Sequence, residues 1–463
     1  MSRSFFKLLA FALVAVFLFA VVTGCAPTAP VDTEATPTPE ATPEPTPEPT
    51  PVEITKDLGG RSIKVAAWWD MTPVGGTPGG DRSVARRAEM EEKYNFTFEY
   101  VNVPWENTVE TYSASVLAGD PFADIATIED NWFVGLADKG FIQPVDELFN
   151  LNNEKWNTMI KDGTTMDGKI YGLLVGDYWP MGMVFFNKTL FERDGLPSLY
   201  ELQNSKQWTW EKMLEIAKAA TKDTDSDGVI DQWGLGGIDT DVALVYSNGA
   251  EMATMVDGKP VLNLRDPAVV EALDFFYQLA NFDKVFFNKF TVEGGAWDVA
   301  STKFEEGKIA MFMYQYWKVD GYTTNMADDY GIVLPPMGPS NTTGEYKSLI
   351  TGFNFQTIPS NVTSPEDIAF IWDMWTEPFP EDLEDPEAWK NAHIDHFRDT
   401  ESMDTLRYMW DHPTGTLVGL FGSIKDTWWS GQDDLLKGEK TVAQIIDEKY
   451  DAMQTALNDI FAE

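Results

Sequence analysis

The nine residues Asp223-Thr224-Asp225-Ser226-Asp227-Gly228-Val229-Ile230-Asp231 put acids at loop positions 1, 3, 5 and 9, glycine at 6 and an apolar residue at 8. This is the EF-hand calcium pattern through its ninth position. Calcium takes six to eight oxygens, and the Val229 carbonyl would supply one. The pattern departs at position 12, where Gly234 replaces the bidentate glutamate. A carboxylate from elsewhere would have to complete the shell. Asp-Gly is also a common turn pair, but four carboxylates this close repel without a cation. Structural calcium is therefore the expectation.

A second group pairs aromatic rings with acids or amides: Trp68-Trp69-Asp70, Glu129-Asp130-Asn131-Trp132, Asp177-Tyr178-Trp179, Tyr314-Gln315-Tyr316-Trp317 and Asp426-Thr427-Trp428-Trp429. Neighbouring strand residues point to opposite faces, so Trp68 and Trp69 cannot both enter one core. The elements that must hold these groups alternate. Ile63–Trp68, Phe96–Val103 and Ala123–Ile128 read as strands, and Arg82–Tyr94 and Trp105–Ala118 as helices. Met71–Gly80 reads as a loop. Such alternation predicts an α/β body with mostly parallel strands, in which ligands collect at the carboxyl ends of strands. Trp68, Trp69 and Asp70 fall at one such end, and Glu129 to Trp132 at another. The apolar spacing of Thr441–Phe461 predicts a final helix with one inner face.

The chain begins with Arg3 and Lys7, followed by a 15-residue apolar run, Leu8–Val22, and then Thr23-Gly24-Cys25. A positive start, a short apolar segment and small residues make a secretory leader, too short to span a bilayer comfortably. Cys25 is the sole cysteine, which rules out disulfides within the chain. Between Ala26 and Pro51, nine of 26 residues are proline. This segment favours extended polyproline II, with a reach of about 80 Å at most. The body, Glu53 to Glu463, is long enough for two domains, and 17 tryptophans with 29 phenylalanines imply packed cores. Residues 1–52 hold five acids and two bases, leaving the body 69 acids against 32 bases. So negative a surface repels nucleic acid and anionic lipid, and favours neutral or cationic ligands.

The run ending in Gly24-Cys25 resembles the lipobox of bacterial lipoproteins, which implies acylation of Cys25 as the first mature residue. In the body, a series of segments resembles extracellular solute-binding proteins of ATP-driven importers. Ala123-Asp124-Ile125 with Leu136–Asp146 is similar to their "PDI … La..G.l.pld" stretch. Asp167–Leu173 is similar to "DGKvYGlP", and Val184–Phe191 with Gly195-Leu196 to "l.YNKdlFe..Gl". Trp208–Glu211 resembles "P.TWdE", and Phe304–Met311 resembles "F..GkaAM" with Trp317 at the family's spacing. The ordered set most resembles the carbohydrate-binding, maltose-binding-protein-like branch.

The resemblance implies a two-lobe periplasmic-binding-protein-like fold of type II. Each lobe would be a mostly parallel sheet flanked by helices, with a multi-crossing hinge and the ligand in the cleft. The expected layout is a leader over 1–24, a linker over 25–52, lobe 1 over 55–175 plus 355–410, and lobe 2 over 178–350 plus 415–463. Crossings are expected near Leu173–Gly182, Leu349–Phe355 and Trp410–Thr416. The implied protein is a monomer, lipid-anchored at the outer face of the cell membrane, or periplasmic in a cell with two membranes. It would hand an oligosaccharide to the permease subunits of an ABC transporter.

Sugars present apolar C–H faces ringed by hydroxyls, which call for flat aromatic platforms and placed polar groups. Trp317 takes the position of a family sugar-stacking tryptophan. Asp177, Tyr178 and Trp179 lie where the family places a cleft carboxylate, with a two-residue departure in spacing. Trp68, Trp69, Asp70, Glu129, Asp130, Asn131, Trp132, Asp239, Trp428 and Trp429 complete the candidate set. A secreted glycoside hydrolase, which needs two carboxylates flanking the scissile bond, and a binder of peptides or polyols remain as alternatives.

Overall fold

The computed structural model describes residues 56–463 except 177–179, 257–258, 350–353, 386, 415–421 and 461–463. Cys25, the proline-rich segment and the triplet Asp177, Tyr178 and Trp179 lie outside the described residues. Among the described residues no helix is long and apolar enough to cross a membrane.

The chain builds two lobes, each around its own sheet. In the first, strand Arg61–Ala67 lies between Phe96–Asn102 and Ile125–Glu129, all parallel, and Asn354–Thr357 closes the edge antiparallel. In the second the order is Phe286–Phe287, Trp233–Gly237, Ile309–Tyr314, Met183–Asn187, Tyr330–Val333. Here Met183–Asn187 runs against both its neighbours, so this sheet is mixed rather than mostly parallel. The reason lies in where the chain enters. Met181 bridges to Leu349 within the second lobe, and the strand starts there and runs away from the cleft. Asn354–Thr357 does the same in the first lobe. The strands whose carboxyl ends face the cleft carry Trp68, Glu129, Gly237 and Tyr314 to it.

Local signals explain the helix boundaries. Helix Pro78–Tyr94 starts earlier than its apolar pattern suggests, because Thr77 caps it by accepting from the Gly80 N–H and Pro78 opens it. Asn95, in the left-handed region, ends it. Trp105–Asn107 forms a short 3-10 turn before helix Thr108–Ala118. The last helix, Val442–Ile460, buries Val442, Ile445, Ile446, Met453 and Leu457 in the second core.

The third passage between lobes differs from the expected one near Trp410–Thr416. Helix Pro380–Glu384 is tied to the first lobe, where Arg82 pairs with Glu381 and Asp382. By Ala388–His393 the chain has changed lobes, since Trp389 packs on the second core. Helix Thr400–Asp411 then buries Met403, Leu406 and Met409 in that core, and the Ser402 hydroxyl accepts from the Ile332 N–H at 2.9 Å. Residues 388–410 therefore belong with the second lobe. On one flank of the cleft the lobes touch, helix Asp130–Ala137 against helix Gly422–Lys437.

Candidate ligand cleft

Both lobes line one cavity of about 990 Å³. The first lobe contributes Trp68, Trp69 and Trp105, and the second Trp297, Trp317 and Trp429. On the first wall, Trp68 packs edge-on against Trp69 and Trp132, with ring centroids 5.0 and 5.4 Å apart. Trp132 also braces Trp105 at 5.4 Å. Trp132 thus supports the platform from behind and is not itself a lining residue. Such offset and edge-to-face contacts fix ring orientation without covering the outer faces.

On the second wall, a hydrogen-bond chain aims two tryptophans. Trp429 Nε1 donates to Asp239 Oδ1 at 3.3 Å, and Gln315 Nε2 donates to Asp239 Oδ2 at 3.1 Å. Gln315 Oε1 in turn accepts from Trp317 Nε1 at 2.9 Å. Asp239 sits in the left-handed region (φ 57°) as the N-cap of helix Thr240–Ser247, makes no side-chain cap bond there, and instead accepts from Trp429 and Gln315. Trp317 stays 41% exposed, with the Lys318 ammonium 4.5 Å from its ring.

The neighbouring Trp428 is a correction. The pair 428–429 lies within helix Gly422–Lys437 and not at a loop end. Successive helical residues point about 100° apart, so only one can face the cleft. Trp428 is 3% exposed and its Nε1 donates to Asp241 Oδ2 at 2.7 Å, with Gln432 Nε2 on Oδ1 at 2.6 Å. Trp428 is core.

Burial, and secondarily the charge of Asp239, push the Asp241 carboxyl up to about 6, against the pull of the Trp428 and Gln432 donors. Between the ordinary carboxylate range near 4 and this value, the folded protein holds a proton that the unfolded chain has released. Stability from this group is therefore lost as pH rises from 4 to 7, by roughly 2–3 kcal/mol at most. Asp241→Asn removes the titration. The drop in melting temperature between pH 5 and pH 7.5 should shrink in that variant, as read by calorimetry at both pH values.

The remaining candidates separate clearly. Glu129 and Asp239 line the cleft. Asp130 is 1% exposed at the start of its helix, and its Oδ1 accepts from the Asn131 N–H at 2.7 Å, so it serves the backbone. Asp70 is exposed and holds the Thr72 N–H at 2.9 Å. Neither Asp70, Asp130 nor Asn131 is among the lining residues. Sequence reasoning missed Trp105 and Trp297. Trp105 lies three residues past the carboxyl end of strand Phe96–Asn102, near the signal that marked Trp68. Trp297 stands in the loop Gly294-Gly295-Ala296-Trp297, 58% exposed.

In the acidic loop, carboxylate oxygens of Asp223, Asp225 and Asp227 lie within 4.8 Å of one another, all three residues exposed. Asp231 is turned aside, because its Oδ2 accepts from the Thr224 hydroxyl and N–H at 2.8 and 2.7 Å. Those bonds hold it below the usual carboxylate range. The glycine at position 12 has a steric cause. A Cβ on Gly234 would stand 2.0 Å from the Ala217 carbonyl oxygen, since its strand presses on helix Trp210–Ala220. No glutamate fits there.

Solved structures share this architecture. An ABC substrate-binding protein from Listeria monocytogenes, in complex with cycloalternan, aligns with a TM-score of 0.67 at 16% identity, covering 86% of this chain and 99% of its own. UgpB from Mycobacterium tuberculosis, in complex with glycerophosphocholine, gives 0.65 at 14%, covering 86% and 98%. The maltose/maltodextrin-binding domain MalE from Bdellovibrio bacteriovorus, bound to maltotriose, gives 0.63 at 19%, covering 86% and 99%. Residues 85–378, well over half of the chain, match the family of bacterial extracellular solute-binding proteins. With two hinged α/β lobes and an aromatic cleft between them, the chain belongs to that family, whose members bind solutes for transport and are not enzymes.

Proposed function

We propose that this protein captures an oligosaccharide in the cleft and delivers it to the permease of an ATP-driven importer, while anchored through a lipid on Cys25 at the outer face of the membrane. The observation that carries the reading is the pair of facing tryptophan walls, three rings from each lobe around one cavity of about 990 Å³. Indole faces suit the C–H faces of sugar rings. Rings from both lobes mean that a ligand touching both favours the closed state, and that difference in affinity is what closes a hinge. The structural relatives bound to maltotriose and cycloalternan support the same ligand class. Purified protein should rise in melting temperature with an oligosaccharide from a panel that includes maltotriose and cellotriose, and chromatography should recover the sugar uncleaved. No shift with any sugar, alongside a shift with peptides or polyols, would replace the reading.

A structural calcium ion is proposed for the acidic loop. Asp223, Asp225, Asp227 and the Val229 carbonyl would hold it, and the convergence of three carboxylates supports this. Millimolar calcium should raise the melting temperature in wild type but not in Asp225→Asn. An equal rise in both would remove the site.

A further inference from the structure

The cavity does not end at the tryptophan walls. Its lining continues into the second lobe as far as Phe276, Phe286, Ala300 and Leu436, with Asn288 beside them. These residues come from separate elements: Phe276 from helix Pro267–Asn281, Phe286 from strand Phe286–Phe287, Ala300 from helix Val299–Glu305 and Leu436 from helix Gly422–Lys437. The elements converge there. The Phe276 and Phe286 rings meet edge-to-face with centroids 5.3 Å apart. Asn281 Nδ2 donates to the Leu435 carbonyl at 2.8 Å, and the Lys289 ammonium pairs with Asp433 at 2.8 Å. The result is an apolar recess off the cleft with one side-chain amide in its wall. Asn288 is 8% exposed. Its Oδ1 accepts from the Phe290 N–H at 2.8 Å, and that bond fixes which way the amide points. Its backbone is engaged with Thr291, the N–H on Oγ1 and the carbonyl on the Thr291 N–H. Nδ2 is left without a partner among the described residues, in a side chain that lines the cavity.

We propose that this recess receives the acetyl group of an N-acetylated amino sugar, so that the cleft prefers acetamido-bearing oligosaccharides over their plain hydroxyl counterparts. This rests on the oligosaccharide reading and narrows it. A donor held in apolar surroundings calls for an acceptor that brings no donor of its own. A sugar hydroxyl accepts, but its own O–H would then face phenylalanine and leucine unpaired. A hydrocarbon group would fill the recess and leave Nδ2 unpaired. An acetamido group meets both demands: its carbonyl oxygen only accepts, and its methyl covers Phe276, Phe286 and Leu436. A fitted apolar pocket separates ligands that differ by one small apolar group about 10–200-fold, and the hydrogen bond adds to that.

The test is calorimetric titration of the purified protein with three trimers. Cellotriose and the β-1,4 N-acetylglucosamine trimer share ring and linkage and differ at the 2-position, hydroxyl against acetamido. Maltotriose is the α-linked reference. The acetylated trimer should bind at least about tenfold tighter than either of the others, a difference of about 1.4 kcal/mol. Two variants locate the effect. Asn288→Asp keeps an oxygen for the Phe290 N–H and removes the donor, and Leu436→Phe fills the recess. Each should cut the advantage of the acetylated trimer to roughly threefold or less, and the comparison in wild type decides whether or not either variant folds. Cellotriose or maltotriose binding wild type as tightly as the acetylated trimer, or the full advantage kept by either folded variant, would overturn the inference and leave the oligosaccharide reading standing. Silence from all three trimers would overturn both.

Discussion

Alanine at Trp317 is expected to weaken oligosaccharide binding about a hundredfold, roughly 3 kcal/mol, while the melting temperature of the unliganded protein moves by no more than about 2 °C. The indole is 41% exposed, so removing it opens no core cavity. Its contacts are an edge-to-face approach to Tyr314 at 5.8 Å, the Lys318 ammonium at 4.5 Å, a hydrogen bond to Gln315 and one to the Tyr314 hydroxyl. A ring so oriented, yet so little buried, is available for a ligand. Large rigid aromatics in concave sites carry a disproportionate share of binding energy. Calorimetric titration and thermal unfolding of the same preparations separate the two effects. A variant that melted far lower would make Trp317 a structural residue, and one that bound sugar unchanged would remove it from the site.

The rule that ligands gather at strand ends identified Trp68, Trp69 and Glu129 from sequence, because the first-lobe strands could be read from alternation alone. The same rule extends to Trp105, three residues past the end of strand Phe96–Asn102, but Trp105 also opens the helical stretch that follows, and its pattern reads as helix. Trp297 had no such signal. It sits in a glycine-rich loop that reaches the cavity only through the packing of the second lobe. Helix Thr400–Asp411 shows the complementary limit. Its amphipathic pattern announces that one face is buried but cannot name the lobe that buries it, since both lobes present apolar helix-binding surfaces. Gly234 reads as a flaw in a calcium motif until the Ala217 carbonyl is seen 2.0 Å from where its Cβ would stand. A motif residue can be overruled by a neighbour that is distant in sequence.

The two tryptophans at 428 and 429 put that helical register to the hardest test. Trp428→Ala is expected to destabilise the protein by about 4–8 kcal/mol, from lost burial of a large aromatic (about 3–5 kcal/mol) and a donor withdrawn from a buried carboxylate (about 1–3 kcal/mol). Against a total of roughly 5–15 kcal/mol, this should lower the melting temperature by about 5–9 °C, at about 2 cal/mol/K of unfolding entropy per residue. Trp428→Phe separates the two contributions: it fills most of the space but leaves Asp241 with one fewer donor, so its loss should be much smaller and greater at pH 7.5 than at pH 5. Trp429→Ala should do the opposite of Trp428→Ala. The residue lines the cavity and packs only partly buried against the second core, with Nε1 on Asp239, so sugar affinity should fall much further than stability. Equal losses of stability at both positions would mean that the helix is rotated from the register described, and that the second wall of the cleft is built from other side chains.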